Sequence, residues 1–243
     1  MMLRSAVLPF PHGFTTREGG VSEGPYAALN LGSKWGDDPA RVRENRRRFF
    51  REAGIERLFS VTQVHGRDVT RIGPEADVEA ISRVRADAMA SQEPGVALGI
   101  YTADCIPLLL GDPKTGVFAA VHAGWRGTAA GIATAVVEAL VEHYQVAAAD
   151  LRVALGPSIG PCCFEVGEDV AAKFASNFVK PRQGRKPTVD LRAANVAQLV
   201  AAGVREAHID ASAPCTACDR ERFYSFRRDG RETGQHVAYI RRP

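Results

Sequence analysis

Long apolar runs along the chain predict buried strands. These runs are rich in branched side chains, the composition of strands that are covered on both faces, and they extend over residues 96–112, 116–125 and 151–161. Asp104 lies inside the first run, where we expect the strand to be interrupted. The β-prone segment 59–66 ends in a glycine, which predicts a strand that ends at His65.

In other parts of the chain, apolar residues recur with the spacing of an α-helix. Pro39 follows a capping aspartate and Gly54 ends the pattern, which predicts a helix between them. Further helices are predicted in residues 128–144, 168–178 and 190–202, and two strands around a polar turn in residues 222–240. Strands and helices do not alternate strictly, so we expect an α+β fold with a layered mixed β-sheet core and flanking helices.

Length and composition favour one domain over residues 1–243. The chain is 45% apolar, and no linker-like segment divides it. A formal charge of +3 is too small to indicate nucleic acid, and no apolar run suits a signal peptide or a membrane span. We therefore expect a cytoplasmic protein whose five cysteines are thiols.

Three short strings supply metal-binding side chains. TQVHG, TADC and AVHAGWRG contribute His65, Cys105 and His122. Two imidazoles and one thiolate form a three-ligand set that suits zinc and leaves a fourth position for water or substrate. Structural zinc normally has four protein ligands, so three ligands indicate a catalytic site.

The turn between two of these strings predicts that Cys105 and His122 meet. GDPKTG is a strong turn signal, and a hairpin symmetric about Pro113 and Lys114 sets Cys105 directly opposite His122. Cross-strand Cβ atoms lie roughly 4.5–5.5 Å apart, which one metal ion bridges. For His65, spacing alone is equally consistent with a packed core histidine.

The remaining cysteines form two pairs. Cys215 and Cys218 form a C-x-x-C pair, a spacing used for metal binding and for redox chemistry. A four-cysteine zinc site requires Cys162 and Cys163 as well. Because the chain has no second C-x-x-C, we rank that site below an incidental pair of thiols.

Longer strings identify a family resemblance. In chain order they are TTREGGVSEGPYAALNLG, TQVHG, RADAM, GIYTADCIPLLL, AVHAGWRGTAAGI, LGPSIGPCCFEVG and CTACDRERFYSFRRDGRETG. With these strings the chain resembles the YfiH-type laccase-domain family, also called polyphenol oxidase or purine nucleoside phosphorylase, over nearly its whole length. One departure follows Gly234, where the family commonly has arginine and this chain has Gln235 and His236.

The resemblance implies a fold like the catalytic domain of cytotoxic necrotizing factors. It implies zinc held by the residues that match the family ligands, His65, Cys105 and His122. It also implies phosphorolysis of adenosine, inosine or methylthioadenosine, with adenosine deamination as a second activity. The expected partners are a purine nucleoside and phosphate, with no nucleic acid or membrane, in a monomer or small homo-oligomer.

Side chains for proton transfer and phosphate binding are expected in the same strings. Asp104 and Asp87 are candidate catalytic carboxylates, and each is equally consistent with a turn or cap aspartate. Arg17, Arg46 and Arg126 are candidate phosphate ligands because the guanidinium fork matches phosphate, with surface or ion-pair roles as the alternative. Arg126 also lies at a predicted strand-to-helix junction, where backbone N–H groups favour an anion.

Three other functions remain open. The older family label implies a copper-dependent polyphenol oxidase, and imidazole and thiolate also bind copper, although a multicopper enzyme needs H-x-H pairs and this chain has none among its six histidines. A cysteine hydrolase or amidase in peptidoglycan precursor editing would use Cys105 as nucleophile and His122 as base. A non-enzymatic binding domain ranks last, because it leaves an open metal position without a purpose.

Overall fold

Two β-sheets stacked face to face form the centre of the computed structural model, which describes residues 2–242. The first sheet contains, in spatial order, β1 (Met2–Leu3), β2 (His12–Thr15), β13 (His236–Arg241), β6 (Ala97–Thr102) and β3 (Leu58–Phe59). The second contains β12 (Ile209–Asp210), β9 (Arg152–Leu155), β7 (Ile106–Gly111), β8 (Phe118–Ala123), β5 (Ala88–Ser91) and β4 (Val69–Arg71). A separate hairpin pairs β10 (Val179–Arg182) with β11 (Arg185–Val189).

Apolar side chains from the facing sides of both sheets fill the space between them. Leu98 and Ile240 come from the first sheet, and Leu109 and Phe118 from the second. Because side chains alternate between the two faces of a strand, the neighbours of Leu109 point the other way and pack under helices. The central strands of the second sheet, β7 and β8, are therefore buried on both faces, as their continuous apolar runs predict.

Helices cover the outer face of each sheet. α1 (Pro39–Ala53) packs on the first sheet, where Phe49 contacts Tyr239. The second sheet is covered mainly by α4 (Ile132–Tyr144) and α6 (Leu191–Ala201). Short helices complete the chain: α2 (Val78–Ser82), α3 (Trp125–Ala129), α5 (Glu168–Ala171) and α7 (Phe226–Asp229). The order helix, sheet, sheet, helix, with parallel and antiparallel pairs in both sheets, confirms the predicted layered α+β fold.

The predicted helix boundaries around α1 and α6 are confirmed. Asp38 accepts a hydrogen bond from the Ala40 N–H, and Gly54 ends α1 in the left-handed conformation at φ +61°. Asp190 caps α6 by accepting from the Ala193 N–H. The interruption expected at Asp104 is also present, because β6 ends at Thr102 and β7 begins at Ile106.

Other predicted elements are wrong in extent or type. The strand predicted over residues 59–66 ends at Phe59, because the N–H groups of residues 64–66 bind a side chain instead of a strand. The helix predicted over residues 168–178 is limited to α5, which has no side-chain cap. The first of the two strands predicted in residues 222–240 is replaced by α7, because Ser225 caps that turn.

The β7–β8 hairpin forms with a register two residues away from the predicted one. His122 pairs with Pro107, and Cys105 lies just before β7, beside Gly124. The shift arises because the Asp112 carboxylate accepts hydrogen bonds from the N–H groups of Lys114 and Thr115, which moves the turn toward Thr115. A shift of two residues preserves the face of each side chain, so Cys105 and His122 are diagonal neighbours on one side of the sheet.

Among the described residues, none of the helices combines the length and the apolar character that crossing a bilayer requires.

Candidate metal centre

The structure brings His65, Cys105 and His122 together at one end of the space between the two sheets. One ligand atom from each residue lies within 4.8 Å of the other two. The imidazole rings of His65 and His122 meet edge to face, with centroids 4.7 Å apart and planes at 84°. His122 is buried, whereas His65 and Cys105 are half-buried. We refer to these three residues as the His-Cys-His centre.

The Asp87 carboxylate holds two parts of this centre in place. It is fully buried, at 0% exposure, and its Oδ1 lies 2.7 Å from Nδ1 of His122. It also accepts hydrogen bonds from the N–H groups of Val64, His65 and Gly66, at 3.1, 2.9 and 2.6 Å. Because Nδ1 faces Asp87, the other ring nitrogen of His122 is the one available to a metal.

Strand register explains why Asp87 meets His122. Ala88 pairs with Val121 in the antiparallel β5–β8 ladder, so Asp87, one residue before β5, lies opposite His122. The backbone continues the pairing, since the His122 N–H donates to the Asp87 carbonyl at 2.7 Å. Both side chains point toward the first sheet, on the same side as Cys105.

The backbone at His65 has an unusual conformation. Its φ of +62° lies in the left-handed region, which non-glycine residues adopt at a cost and mostly where the surroundings enforce it. Here the enforcing group is the Asp87 carboxylate, which collects three consecutive N–H groups. His65 lies in this turn, between β3 and β4, and its imidazole reaches the other two residues of the centre from there.

Asp104 occupies a second left-handed turn, at φ +86°. Its carboxylate accepts hydrogen bonds from Thr216 Oγ1 at 2.6 Å, Ser225 Oγ at 3.0 Å and the Arg227 N–H at 2.6 Å. Its carbonyl accepts from the Ile159 N–H at 2.9 Å. Asp104 immediately precedes Cys105, and its hydrogen bonds therefore connect the turn before Cys105 to two loops that are distant in sequence.

Charge coupling shifts the pKa values of the His-Cys-His centre. Burial raises the pKa of Cys105, but the positive charge and hydrogen bond of His122 outweigh it, and the pKa is lowered to about 6. Burial lowers the pKa of His122, but the Cys105 thiolate and the Asp87 carboxylate outweigh it and raise the pKa to about 9. The pair therefore exists as thiolate and imidazolium near neutral pH without a metal.

The absence of a side chain at Gly124 provides the space that the side chains of His65 and Cys105 occupy. A Cβ at this position would lie 2.8 Å from Cδ2 of His65 and 3.2 Å from Sγ of Cys105. The first distance is shorter than Cβ contacts in real proteins, so any side chain at Gly124 displaces the His65 ring. The backbone itself is ordinary, at φ −72°, so the constraint is the space and not the conformation.

The three candidate arginines lie on separate segments. Arg17 donates through Nε to the Ala27 carbonyl at 2.5 Å, and its guanidinium lies 4.6 Å from the centre of the Tyr224 ring. Arg46 donates through Nε to the Leu31 carbonyl at 2.9 Å. Arg126 is the second residue of α3 and lies four positions after His122; it is exposed, and its guanidinium lies 4.2 Å from the centre of the Trp125 ring.

The residues that replace the family arginine are built into the first sheet. Gln235 accepts from the Leu31 N–H through its carbonyl, and its own N–H donates to Asn30 Oδ1. His236 is buried, and its Nε2 accepts from the Tyr224 N–H at 2.8 Å. Burial, reinforced by the charge of Arg17, lowers the pKa of His236 to about 3 and keeps the ring neutral.

The four remaining cysteines also converge, although the sequence pattern favours an incidental pair of thiols. Their Sγ atoms lie within 4.8 Å of one another. We refer to Cys162, Cys163, Cys215 and Cys218 as the cysteine cluster. In the sequence, only the closeness of the cysteines within each pair pointed to this cluster. The two pairs lie on different loops, and the sequence pattern does not predict how those loops are arranged.

Comparisons with known proteins agree with the motif analysis. Residues 11–243 match a family described as multi-copper polyphenol oxidoreductase laccase. A purine nucleoside phosphorylase of Deinococcus radiodurans is 43% identical, covering 100% of this chain and 93% of the relative. Purine nucleoside phosphorylase YlmD of Geobacillus stearothermophilus is 38% identical, covering 99% and 94%. The solved Bacillus licheniformis hypothetical protein YfiH has TM-score 0.90 at 29% identity, covering 96% and 92%.

These matches confirm the family resemblance. The resemblance to the toxin catalytic domain stays a prediction, as does the single-domain boundary.

We expect Cys105 of the metal-free protein to react with iodoacetamide at neutral pH. The thiolate is the reactive form, so the rate falls as pH drops through the pKa of about 6. Rates at a series of pH values, measured by mass spectrometry of the Cys105 peptide, test this. In Asp87→Asn the midpoint should rise, because His122 loses the carboxylate that favours its cation. A wild-type midpoint near pH 9 would contradict the coupling.

We expect Gly124→Ala to weaken zinc binding by about tenfold or more, the scale seen when the groups that orient metal ligands are changed. Titration against a chromophoric chelator measures the affinity. Gly66→Ala is the matched control, because its Cβ would lie 3.5 Å from Asp87 Oδ2 and 3.6 Å from Val64, which are ordinary contacts. Equal affinities in the two variants would show that space at Gly124 is unimportant.

Proposed function

The chain belongs to the multi-copper polyphenol oxidoreductase laccase family, and from that premise we propose that it is a zinc-dependent purine nucleoside phosphorylase. Relatives that carry the name purine nucleoside phosphorylase are 38% and 43% identical over almost the whole chain, which supports an enzyme. In the proposed reaction a phosphate oxygen bonds to C1′ of the nucleoside while the bond from C1′ to the purine nitrogen breaks. The products are the free base and ribose 1-phosphate.

The observation that carries this proposal is the convergence of His65, Cys105 and His122 within 4.8 Å. Two imidazoles and one thiolate fit zinc, and three protein ligands leave one coordination position for a reactant. When bound, zinc supplies Lewis-acid chemistry and lowers the pKa of water. We propose adenosine, inosine and methylthioadenosine as substrates, as the family resemblance implies.

We assign Asp87 and Asp104 to positioning roles. Asp87 accepts from His122 and from three backbone N–H groups, which leaves its oxygens engaged with the chain itself. Asp104 accepts from two hydroxyl groups and a backbone N–H. Each carboxylate thus fixes the segment that carries a ligand, Asp87 for both histidines and Asp104 for Cys105.

Arg126 is our first choice for the phosphate. It follows His122 closely on the same strand-to-helix connection, and its guanidinium is exposed. Arg17 and Arg46 each use Nε to bind a backbone carbonyl, and Arg17 also donates through Nη1 to the Arg220 carbonyl at 3.2 Å, which reduces the number of donors that remain for a ligand. A guanidinium binds phosphate with two parallel hydrogen bonds, an arrangement that lysine does not reproduce.

An aromatic pair formed by exposed Phe226 and half-buried Trp35 supports a purine as the substrate. Phe226 is 43% exposed and contacts Trp35, with ring centroids 5.4 Å apart. It adjoins Arg227, whose N–H binds the Asp104 carboxylate beside Cys105. Aromatic side chains bind purine bases by stacking, so this pair is our candidate for the base subsite.

Adenosine deamination is a second proposed activity of the same centre. A metal held by these residues would leave a position for water; in deamination, water would add at C6 of adenosine and ammonia would leave, giving inosine. The two reactions need different co-substrates, phosphate in one and water in the other. The products of the reaction therefore distinguish phosphorolysis from deamination.

A cysteine hydrolase is the competing candidate, and one observation favours it. Cys105, His122 and Asp87 form the order nucleophile, base and orienting carboxylate, with a thiol pKa lowered to about 6. A hydrolase of this kind has no need of His65, whose ring also faces the sulfur. The second imidazole favours a metal, and activity that survives a chelator would favour the hydrolase.

A single copper ion bound by the same residues, with oxidation of polyphenols, is the remaining alternative. Metal analysis and an oxygen-uptake assay would reveal it.

We expect zinc-loaded protein to convert adenosine to adenine and ribose 1-phosphate only when phosphate is present. Chromatography of the products, with and without phosphate, measures this. Inosine formed without phosphate would identify the deaminase activity. Cys105→Ala, which lacks the thiolate ligand, should reduce both rates to background. Absence of any purine product from the wild-type protein at full zinc occupancy would overturn the proposal.

We expect Arg126→Ala to raise the KM for phosphate about 10- to 100-fold, the loss expected for one or two hydrogen bonds to a charged group. Deamination, which uses no phosphate, should change little. Steady-state kinetics with varied phosphate provide the measurement. Arg83→Ala is the control, because that side chain is exposed and pairs with Glu79 on α2. Equal losses in both reactions would rule out a phosphate role for Arg126.

A further inference from the structure

We propose that the cysteine cluster binds a second zinc ion through four thiolates, at a structural site separate from the His-Cys-His centre. All four Sγ atoms lie within 4.8 Å of one another. Structural zinc takes four protein ligands in a tetrahedron, and four cysteines are one of its common ligand sets. The proposal stands whether or not the proposed phosphorylase activity is correct.

The sulfur separations suit a shared ion. Sγ of Cys218 lies 3.5 Å from Sγ of Cys162 and 3.4 Å from Sγ of Cys163. Tetrahedral Zn–S bonds of about 2.3 Å place two sulfur atoms about 3.8 Å apart, whereas a disulfide bond is about 2.0 Å long. The observed distances are close to the first value and far from the second, and all four thiols are free.

A tight turn lets two adjacent cysteines face the same point. Neighbouring side chains on a strand point to opposite faces, but the N–H groups of Cys163 and Phe164 both donate to the Gly160 carbonyl at 3.0 Å. The chain therefore curls at Cys162. This turn directs two sulfur atoms toward the C-x-x-C pair on the other loop.

Backbone donors already favour a thiolate in the cluster. The Gly160 N–H donates to Sγ of Cys215 at 3.2 Å. Burial raises the pKa of Cys215, but this hydrogen bond and one from the Cys218 N–H outweigh it and lower the pKa. The chain therefore already supplies one backbone donor for a thiolate at Cys215.

The half-buried guanidinium of Arg192 interacts electrostatically with Cys215 and Cys162. Arg192 donates to Ser158 Oγ at 3.1 Å and to the Ala213 carbonyl at 2.5 Å. Burial lowers its pKa, and the charge of Cys215 raises it. A zinc ion with four thiolates carries net negative charge, which this guanidinium offsets. Cys162 and Cys218 are exposed, so the ion has a path from solvent.

The cluster joins the two loops that converge on Asp104. On one loop, Ile159 donates its N–H to the Asp104 carbonyl. On the other, Thr216, next to Cys215, donates its hydroxyl to the Asp104 carboxylate. An ion that fixes both loops therefore supports the turn just before Cys105, at a distance from the reacting atoms.

Metal content of four proteins tests the proposal. Wild type, Cys105→Ala, the double variant Cys162→Ser/Cys218→Ser and the combination of all three changes are purified without chelator and analysed by mass spectrometry for zinc. We expect two ions per chain in the wild type, one in each partial variant and none in the combination. Zinc in the double variant equal to that of the wild type would overturn the proposal, as would a disulfide within the wild-type cluster.

Cobalt provides a measurement that does not depend on folding of the double variant. In Cys105→Ala the cysteine cluster is the intended site, so titration of the metal-free protein with Co²⁺ should produce the intense visible absorption of tetrahedral cobalt bound to thiolates. The band should saturate at one ion per chain and disappear on addition of zinc. Failure of the band to appear would refute a tetrahedral sulfur site. The melting temperature of this variant should also fall when a strong chelator is added.

Discussion

The structure of the His-Cys-His centre depends on one buried carboxylate. Asp87 accepts hydrogen bonds from three consecutive backbone N–H groups and contacts the ring of His122. A buried carboxylate is tolerated only when donors replace the water it has lost. The same requirement that keeps Asp87 stable inside the protein therefore holds both histidines in place. The left-handed backbone of His65 is one cost of that arrangement.

Asp104 extends the same design to the opposite side of the centre. It too lies in a left-handed turn and collects donors from remote segments. Asp104 immediately precedes Cys105, whereas Asp87 binds His122 and the turn at His65. Because each aspartate connects segments that are far apart in sequence, the positions of His65, Cys105 and His122 depend on the tertiary structure and not on local structure alone.

Much of the fold follows from sequence pattern, and the parts that do not follow have physical reasons. Continuous apolar runs correctly predict β6, β7, β8 and β9, and cap residues correctly predict α1 and α6. The turn around His65 escaped prediction because its N–H groups bind Asp87, a residue more than 20 positions away. The hairpin register was wrong by two residues because Asp112 selects the turn through its side chain.

Convergence of side chains was predictable only where a ladder connects them. Cys105 immediately precedes β7, and His122 lies on the neighbouring β8, so the alternation of side chains places both on one face despite the register error. The cysteine cluster lies on loops, where no periodicity relates Cys162 to Cys218, and its assembly requires the tertiary structure. Family motifs identified the His-Cys-His centre, whereas residue spacing could not identify the cysteine cluster.

The position of β13 has a consequence for synthesis of the chain. This strand lies between β2 and β6 in the first sheet, yet more than half of the sequence separates it from β6. At roughly 5–20 residues per second on the ribosome, the edges of β2 and β6 wait several seconds for their shared neighbour. Unpaired edges invite association with other chains, so the nascent protein is exposed to aggregation, and to chaperones, until β13 emerges.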